Sequence, residues 1–251
     1  MSRVLTHEET IGIAAARHHG LRELLDDFGL DYYCGGTLSL EEAVAGAGLD
    51  LRVVRSRIEH LSSADAGPNW PDEPLSALIE HLEMDDHGAA RTLMFRAALL
   101  FADVCRTSGD TRLAGMRTTF RDLCMSLVVH MEHEEHTIFP AIASLEEAWM
   151  KGEEPPPLAE GGVRAAAARF VQEHADIART LQKLHHQRIA IETNAAPVVR
   201  LFDQLEQFER RIHESMNLES CVAFPRGVAL EDALNHQQGG LYEFSHQVRS
   251  L

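Results

Sequence analysis

The chain repeats itself at a constant spacing of 85 residues, from 134 to 219 and from 139 to 224. The repeated motif is Glu134-x4-Phe139-Pro140-x4-Leu145-Glu146, which recurs as Glu219-x4-Phe224-Pro225-x4-Leu230-Glu231. Ala, Leu, Glu, Arg and Gln dominate around both copies, and these residues favour helices. A repeat of this length therefore indicates two copies of one helical hairpin. Two such hairpins packed together form a four-helix bundle with an approximate two-fold axis.

Two segments rich in proline, glycine and acidic residues divide the chain, at Gly67–Pro74 and Lys151–Gly162. No sustained alternation of β-branched residues predicts a strand, so we expect an all-α protein. The predicted long helices are Leu75–Arg106, Arg112–Glu147, Val163–Ile191 and Ala196–Glu219. Shorter helices are predicted before the first linker, at Glu8–Arg17, Leu21–Phe28, Leu40–Gly46 and Leu51–Leu61.

The length of 251 residues suits two small domains, which we place at 1–66 and 75–232, with a C-terminal tail at 233–251. Acidic residues exceed basic ones by 39 to 23, which argues against binding to nucleic acid or to an anionic membrane surface. No apolar run reaches the roughly 18 residues of a membrane span, and the first residues do not resemble a signal peptide. We therefore expect a cytoplasmic protein.

Histidine and glutamate recur at matching positions of the predicted helices. His130 and Glu134 lie four residues apart, so they project from one face of a helix. Glu219 is the repeated carboxylate, and His87 and His174 lie at matching places on the first and third long helices. If all five face inward, their imidazoles and carboxylates suit iron, manganese or zinc. Ligand type alone does not choose among these metals.

The remaining histidines and cysteines lack this pattern. Without repeated counterparts, six histidines are predicted on the surface: His18, His19, His133, His136, His185 and His186. Three cysteines are expected to be small hydrophobic core residues rather than nucleophiles: Cys105, Cys124 and Cys221. The four cysteines of the chain include no CxxC pair and do not predict a disulfide framework.

Taken together, these motifs resemble the hemerythrin-like (HHE cation-binding) bundle, in the form found in di-iron proteins that repair iron–sulfur clusters. In the N-terminal part, Asp31-Tyr-Tyr-Cys34-Gly-Gly36 is similar to the family signature D-F/Y-C-C-G-G. In the bundle, the resemblance rests on His87, His130-Met-Glu-His-Glu134-Glu-x3-Phe139-Pro140, Glu173-His174 and Leu218-Glu219-x4-Phe224-Pro225-Arg226. It implies an up-and-down four-helix bundle, preceded by a small helical domain, around a carboxylate-bridged non-haem di-iron centre.

The resemblance also implies roles for individual residues. His87, His130 and His174 would be terminal ligands, with Glu134 and Glu219 bridging the two irons. The implied function is repair of iron–sulfur proteins damaged by nitrosative or oxidative stress, through NO binding, NO reduction or iron donation. One alternative is a hemerythrin-like module that senses NO or O2 or stores iron without repair activity. Another is a metal-free interaction protein that has kept only the bundle.

The chain departs from the family pattern at two positions. The second H-x3-E motif would place a histidine at 215, where this chain has Ser215. His213 lies about 240° around a regular helix from Glu219, so it is expected to point away and leave the second iron one imidazole short. Tyr33 replaces the first cysteine of the signature pair, which excludes a disulfide switch within the N-terminal part. Cys34 is then either a redox-active catalytic thiol, able to be nitrosylated, bind iron or pair in a homodimer, or a buried turn residue.

Overall fold

The computed structural model describes residues 5, 9–34, 36–61, 67–155 and 157–248, with side chains described as far as His236. Across these residues the chain forms eight helices and no strand, which confirms the predicted all-α class. None of the described helices combines the length and apolar character needed to cross a membrane. The predicted helix start at Glu8 and the Gly35 position of the cysteine motif lie outside the described residues.

Four short helices form the N-terminal module. They are α1 (Ile11–Arg17), α2 (His19–Asp27), α3 (Leu40–Gly46) and α4 (Leu51–Glu59). Side chains cap several of their first turns: Ser39 and Glu42 form a reciprocal capping box at α3, and Asp50 accepts from the N–H of Arg52 at α4. The fully buried Tyr32 belongs to the apolar cluster enclosed by these helices.

Four long helices form the bundle. They are α5 (75–107), α6 (111–151), α7 (Gly162–Ile189) and α8 (196–248). Three of them contain one π-helical turn, at Leu82–His87 in α5, Glu134–Ile138 in α6 and Glu219–Ala223 in α8.

Two of the π-helical turns occur at the repeated Phe-Pro pairs. The N–H of Phe139 donates to the carbonyl of Glu134, and the N–H of Phe224 donates to that of Glu219, five residues back in each case. The next residue in both copies is a proline, which has no N–H and whose ring would clash with a carbonyl four residues back. A widened turn accommodates that proline while the helix continues.

The long helices alternate in direction. Each packs against the next, and α8 packs back against α5. One apolar cluster includes Phe101, Phe120 and Phe208, and the other includes Phe139 and Phe170. Helices α5 and α7 run from the second cluster to the first, whereas α6 and α8 run from the first to the second. The architecture is therefore the up-and-down bundle implied by the resemblance.

The last residue of the repeat holds together the two helices of each hairpin in the same way. The Glu146 carboxylate accepts from the backbone N–H groups of Leu75 (2.6 Å) and Ser76 (2.7 Å), at the start of α5. The Glu231 carboxylate accepts from Val163 and Arg164 (both 3.1 Å), at the start of α7. Each glutamate thus satisfies N–H groups at the start of a helix that have no partner within that helix. This matching pair of contacts supports the approximate two-fold symmetry.

The N-terminal module docks on α8 through close backbone contacts. The buried side-chain amide of Asn217 donates to the carbonyls of Gly12 and Tyr32, at 3.0 Å each. A Cβ atom at Gly12 would lie 2.5 Å from the Cys221 sulfur, and one at Gly36 would lie 2.6 Å from it. Glycine is required at both positions because any larger residue would push the module away from α8.

Two predictions need correction. Helix α8, which the sequence predicts to end at Glu219, continues to 248 and so includes 233–248, where the sequence places a tail; Leu234 of this extension lies in the apolar cluster with 2% of its surface exposed. His18 is buried at 5% exposure, because it lies between α1 and α2 where both helices pack against α8. Of the other five histidines predicted on the surface, His185 is half-buried. The remaining four are exposed: His19, His133, His136 and His186.

Candidate metal centre

Five side chains meet between the two apolar clusters, and they are the five that the sequence singles out. All are buried, with at most 5% of the surface exposed: His87, His130, Glu134, His174 and Glu219. Each long helix contributes at least one of them. Four of the five bring one donor atom each within 4.8 Å of one another: His130, Glu134, His174 and Glu219.

The two oxygens of Glu134 face different imidazoles. Oε1 lies 3.4 Å from Nε2 of His130 and 3.6 Å from Nε2 of His174. Oε2 lies 3.6 Å from Nε2 of His87. Glu134 therefore lies between the imidazole pair of His130 and His174 on one side and the single imidazole of His87 on the other.

The two oxygens of Glu219 also face different imidazoles. Its Oε2 lies 3.1 Å from Nε2 of His174, and its Oε1 lies 3.3 Å from Nε2 of His87. Oε1 also accepts a hydrogen bond of 2.6 Å from the hydroxyl of Ser215. The centre therefore has two halves, a two-imidazole subsite at His130 and His174 and a one-imidazole subsite at His87.

The outer nitrogen of each histidine is held by a neighbouring side chain. His87 Nδ1–H donates to Glu135 Oε1, and His130 Nδ1–H donates to Glu173 Oε2, both at 2.8 Å. His174 Nδ1 forms a 2.8 Å hydrogen bond with the Ser220 hydroxyl. Such partners set the tautomer and orient the ring of a metal-binding histidine, leaving the Nε2 lone pair directed at the centre.

The repeated motif explains part of this second layer of contacts. Phe139 stacks on His87 with ring centroids 5.8 Å apart, and Phe224 stacks on His174 at 5.9 Å. The side chains that hold Nδ1 of these two histidines come from the residues directly after the two central glutamates. Glu135 follows Glu134, and Ser220 follows Glu219. One copy of the motif thus supplies a carboxylate, a hydrogen-bond partner and an aromatic ring.

The buried glutamate Glu134 makes the case for a cation. It is 0% exposed, and neither of its oxygens has a hydrogen-bond partner among the described residues. A buried carboxylate without hydrogen bonds costs several kcal/mol unless positive charge beside it, from a bound metal ion or from protonated imidazoles, neutralises it. The converging set of imidazole nitrogens and carboxylate oxygens suits iron, manganese or zinc.

Comparison with known proteins agrees with this geometry. Residues 78–227 match the Hemerythrin HHE cation binding domain, and residues 7–62 match a Domain of Unknown function (DUF542). The chain belongs to the hemerythrin HHE cation-binding family.

Several relatives carry the name iron-sulfur cluster repair protein YtfE. The Citrobacter koseri relative is 24% identical over 213 residues, which cover 83% of this chain and 91% of the relative. Those of Escherichia coli O8 and Cronobacter sakazakii are 28% and 30% identical over 121 residues, which cover 47% of this chain and 55% of each relative.

Without a metal, the hemerythrin centre perturbs the protonation of its own residues. Burial lowers the pKa of His87, but Glu219 and Glu134 outweigh it and raise that pKa to about 9. The pKa of His174 is raised to about 9 for the same reasons. Burial and the Glu219 charge raise the pKa of Glu134. For Glu219, hydrogen bonds from the two histidines outweigh burial and hold the pKa well below its usual value.

His213 lies outside the hemerythrin centre, as its position on the helix predicts. Its Nδ1–H donates to Asp26 Oδ1 at 2.8 Å, and its ring stacks on Tyr33 with centroids 3.8 Å apart. The π-helical turn of α8 begins only at Glu219, so it does not turn His213 inward. Ser215 occupies the position that faces Glu219 instead.

Cys34 is half-buried beside the hemerythrin bundle. Burial, Asp31 and Cys221 raise the pKa of its thiol to about 12. At neutral pH it is therefore a protonated thiol rather than a reactive thiolate. This protonation state favours the interpretation of Cys34 as a turn residue over that of a catalytic thiol.

Sequence reasoning assigned no role to the residues that hold the outer histidine nitrogens. Glu135 and Ser220 lie at the same position of the hemerythrin repeat but differ in residue type, so similarity between the copies does not reveal them. Glu173 directly precedes His174 yet holds His130 across the bundle. The sequence indicates Glu135 and Ser220 only by their position, directly after the two repeated glutamates.

Proposed function

We propose that this protein holds a carboxylate-bridged pair of irons and uses it in the repair of iron–sulfur proteins damaged by nitrosative or oxidative stress. The proposal rests on the position of the Glu134 carboxylate, whose Oε1 faces His130 and whose Oε2 faces His87. The name of the YtfE relatives supports the repair role.

Each residue has a distinct role in this proposal. Glu134 and Glu219 would bind both irons, and their buried negative charges would balance the positive charge of the cations. His130 and His174 would hold one ion, and His87 would hold the other. The bound irons would supply a binding position for NO or O2 and the electrons for NO reduction. Glu135 and Glu173 would hold a proton on the outer nitrogen of His87 and His130, so that the Nε2 atom of each ring can bind an ion.

Ser215 sets the character of the one-imidazole subsite. Its hydroxyl donates to Glu219 and supplies no imidazole, so an ion beside His87 would have fewer protein ligands than one between His130 and His174. Fewer ligands favour exchange of that ion or access by a small ligand over tight storage. An open subsite is thus compatible with iron donation and with NO reduction. Iron donation would deliver iron to the damaged protein, whereas NO reduction would form N2O.

Metal content and the electronic spectrum test the di-iron centre. Protein purified without oxygen should contain two irons per chain and gain oxo-to-iron charge-transfer absorption after oxidation. Glu134→Gln should lose the second iron, because an amide cannot bridge two cations as a carboxylate does. Glu132→Gln, at an exposed position on the same helix, is the matched control and should bind both irons. A single metal ion per chain in the unmodified protein would refute the di-iron centre.

A repair assay tests the function separately. The iron-loaded protein should reactivate a cluster enzyme inactivated by NO, while Glu134→Gln should not. Formation of N2O by the reduced protein would assign NO reduction, and transfer of labelled iron to the enzyme would assign iron donation. A protein that binds NO without forming N2O and without reactivating the enzyme would instead be a sensor or a store.

A further inference from the structure

A cleft lies between α5 and α6 on the outer side of the bundle, and none of the five side chains of the metal centre lines it. This cleft has a volume of about 410 Å³, within the range of roughly 300–1,000 Å³ usual for small-molecule sites. Its lining combines apolar side chains with three arginines. Nothing in the proposed function uses it.

The apolar part of the cleft has a buried floor and an exposed wall. Phe101 and Phe120 form the floor, with 0% and 2% of their surfaces exposed and ring centroids 5.2 Å apart. Phe95 and Val128 line the opening, with 66% and 38% exposed. Phe95 and Val128 thus continue the apolar lining of the cleft to the surface, and such a contiguous apolar patch is of the kind that a ligand covers.

The charged rim of the cleft is basic in a protein whose net charge is −16. Arg117 and Arg121 lie one turn apart on α6, so both can reach one ligand. No acidic side chain pairs with Arg117 among the described residues, and Arg121 pairs only with its exposed neighbour Asp122. Arg91, the third arginine, donates to Glu135 and is already engaged.

We propose that this cleft binds a medium-chain monocarboxylate. The carboxylate accepts hydrogen bonds from Arg117 and Arg121, and the alkyl chain covers Phe95 above the buried aromatic floor. A guanidinium is the side chain best suited to a carboxylate because its N–H groups match the two oxygens. A dianion is less suitable, since only one of the three arginines lacks a partner.

Calorimetric titration of the iron-loaded protein tests both parts of the ligand. Each added CH2 should tighten binding about fourfold, so octanoate should bind about fifteenfold more tightly than hexanoate. Octanol, which has the chain without the charge, should bind at least tenfold more weakly than octanoate. Equal affinity across the chain-length series, or equal affinity for acid and alcohol, would overturn the proposal.

Variants locate the binding site on the protein. Arg117→Gln should weaken octanoate binding about tenfold or more and leave octanol binding unchanged. Arg106→Gln removes another exposed arginine outside the cleft and should change neither. Ala98→Phe should fill the cleft and abolish binding of both ligands, whereas Ala102→Phe, exposed on the same helix outside the cleft, should not.

Iron content and helicity of every variant are measured in parallel. A variant with unchanged helicity and iron content but altered octanoate affinity reports on the cleft alone. Undiminished octanoate binding by Ala98→Phe would place the ligand elsewhere and refute the assignment. This result would leave the proposed di-iron function intact, since none of the five side chains of the centre lines the cleft.

Discussion

The hydroxyl of Ser215 donates a 2.6 Å hydrogen bond to Glu219 Oε1, the oxygen that also faces His87. The repeat places Ser215 where its counterpart in the first hairpin is His130. One half of the centre therefore has two imidazoles and the other has one. This asymmetry within an otherwise repeated structure leads to the first prediction.

Ser215→His should slow iron loss from the one-imidazole subsite. The added imidazole would supply a fourth nitrogen ligand. Its effect should be at least as large as that of losing a hydrogen-bond partner of a ligand, which changes metal affinity by about 10–100-fold. We expect release to a ferrous chelator to slow by about tenfold or more. Ser215→Ala removes the hydroxyl without adding a ligand, so it should release iron at least as fast as the unmodified protein. Iron loss equally fast in Ser215→His would argue against an open subsite.

Glu135→Gln should weaken iron binding by about 10–100-fold, although Glu135 does not face the ion. An amide holds the His87 proton less strongly than a carboxylate, so the imidazole becomes a poorer donor. Competition with a chelator of known affinity measures the change. Glu132→Gln, three residues earlier and exposed, should have no effect. Matching affinities for the two variants would show that Glu135 does not tune the centre.

Stability of the metal-free protein should fall as the pH rises from about 6.5 to 9. The pKa values of His87 and His174 are raised to about 9 in the folded protein, above their ordinary value near 6.5. Their contribution is fully present below pH 6.5 and is lost as the pH rises through 9. Urea unfolding between pH 6 and 10 measures it. Iron-loaded protein is the control and should lack this loss, because bound metal replaces the protons.

Asn217→Ala should reduce the free energy of unfolding by about 1–3 kcal/mol, because it removes the two hydrogen bonds that this buried amide donates to the carbonyls of Gly12 and Tyr32. Gln172→Ala, at an exposed position on α7, should change it by less than about 0.5 kcal/mol. Urea denaturation compares the two variants. A loss for Asn217→Ala no larger than that control would mean that this contact does not secure the N-terminal module.

Cys34 should react slowly with iodoacetamide at pH 7. Burial raises the pKa of its thiol to about 12, so the thiolate fraction is more than about a hundredfold below that of a free cysteine. Cys124 has a similarly raised pKa and serves as the internal comparison. Mass spectrometry of timed samples resolves each position, and urea-unfolded protein gives the unhindered rate. Rapid modification of folded Cys34 would restore its candidacy as a redox thiol.

Much of the fold was predictable because helices have a fixed period. The 85-residue repeat and the spacing of His130 and Glu134 depend only on local geometry, since residues four apart share a helix face whatever the helix packs against. The predicted bundle helices accordingly agree with the observed ones within a few residues, apart from the extension of α8. That extension buries Leu234 among residues of other helices, and such contacts between helices are not encoded in the local sequence.

By itself, the sequence determined the helical class, the duplication and the five side chains directed at the centre. Only the tertiary structure decided how the oxygens of Glu134 and Glu219 divide between imidazoles, and that Glu135 and Glu173 hold the outer nitrogens. It also decided that His213 stacks on Tyr33 of the N-terminal module. The physical reason is that periodicity along a helix specifies direction, whereas pairing depends on distances between helices that lie far apart in the chain.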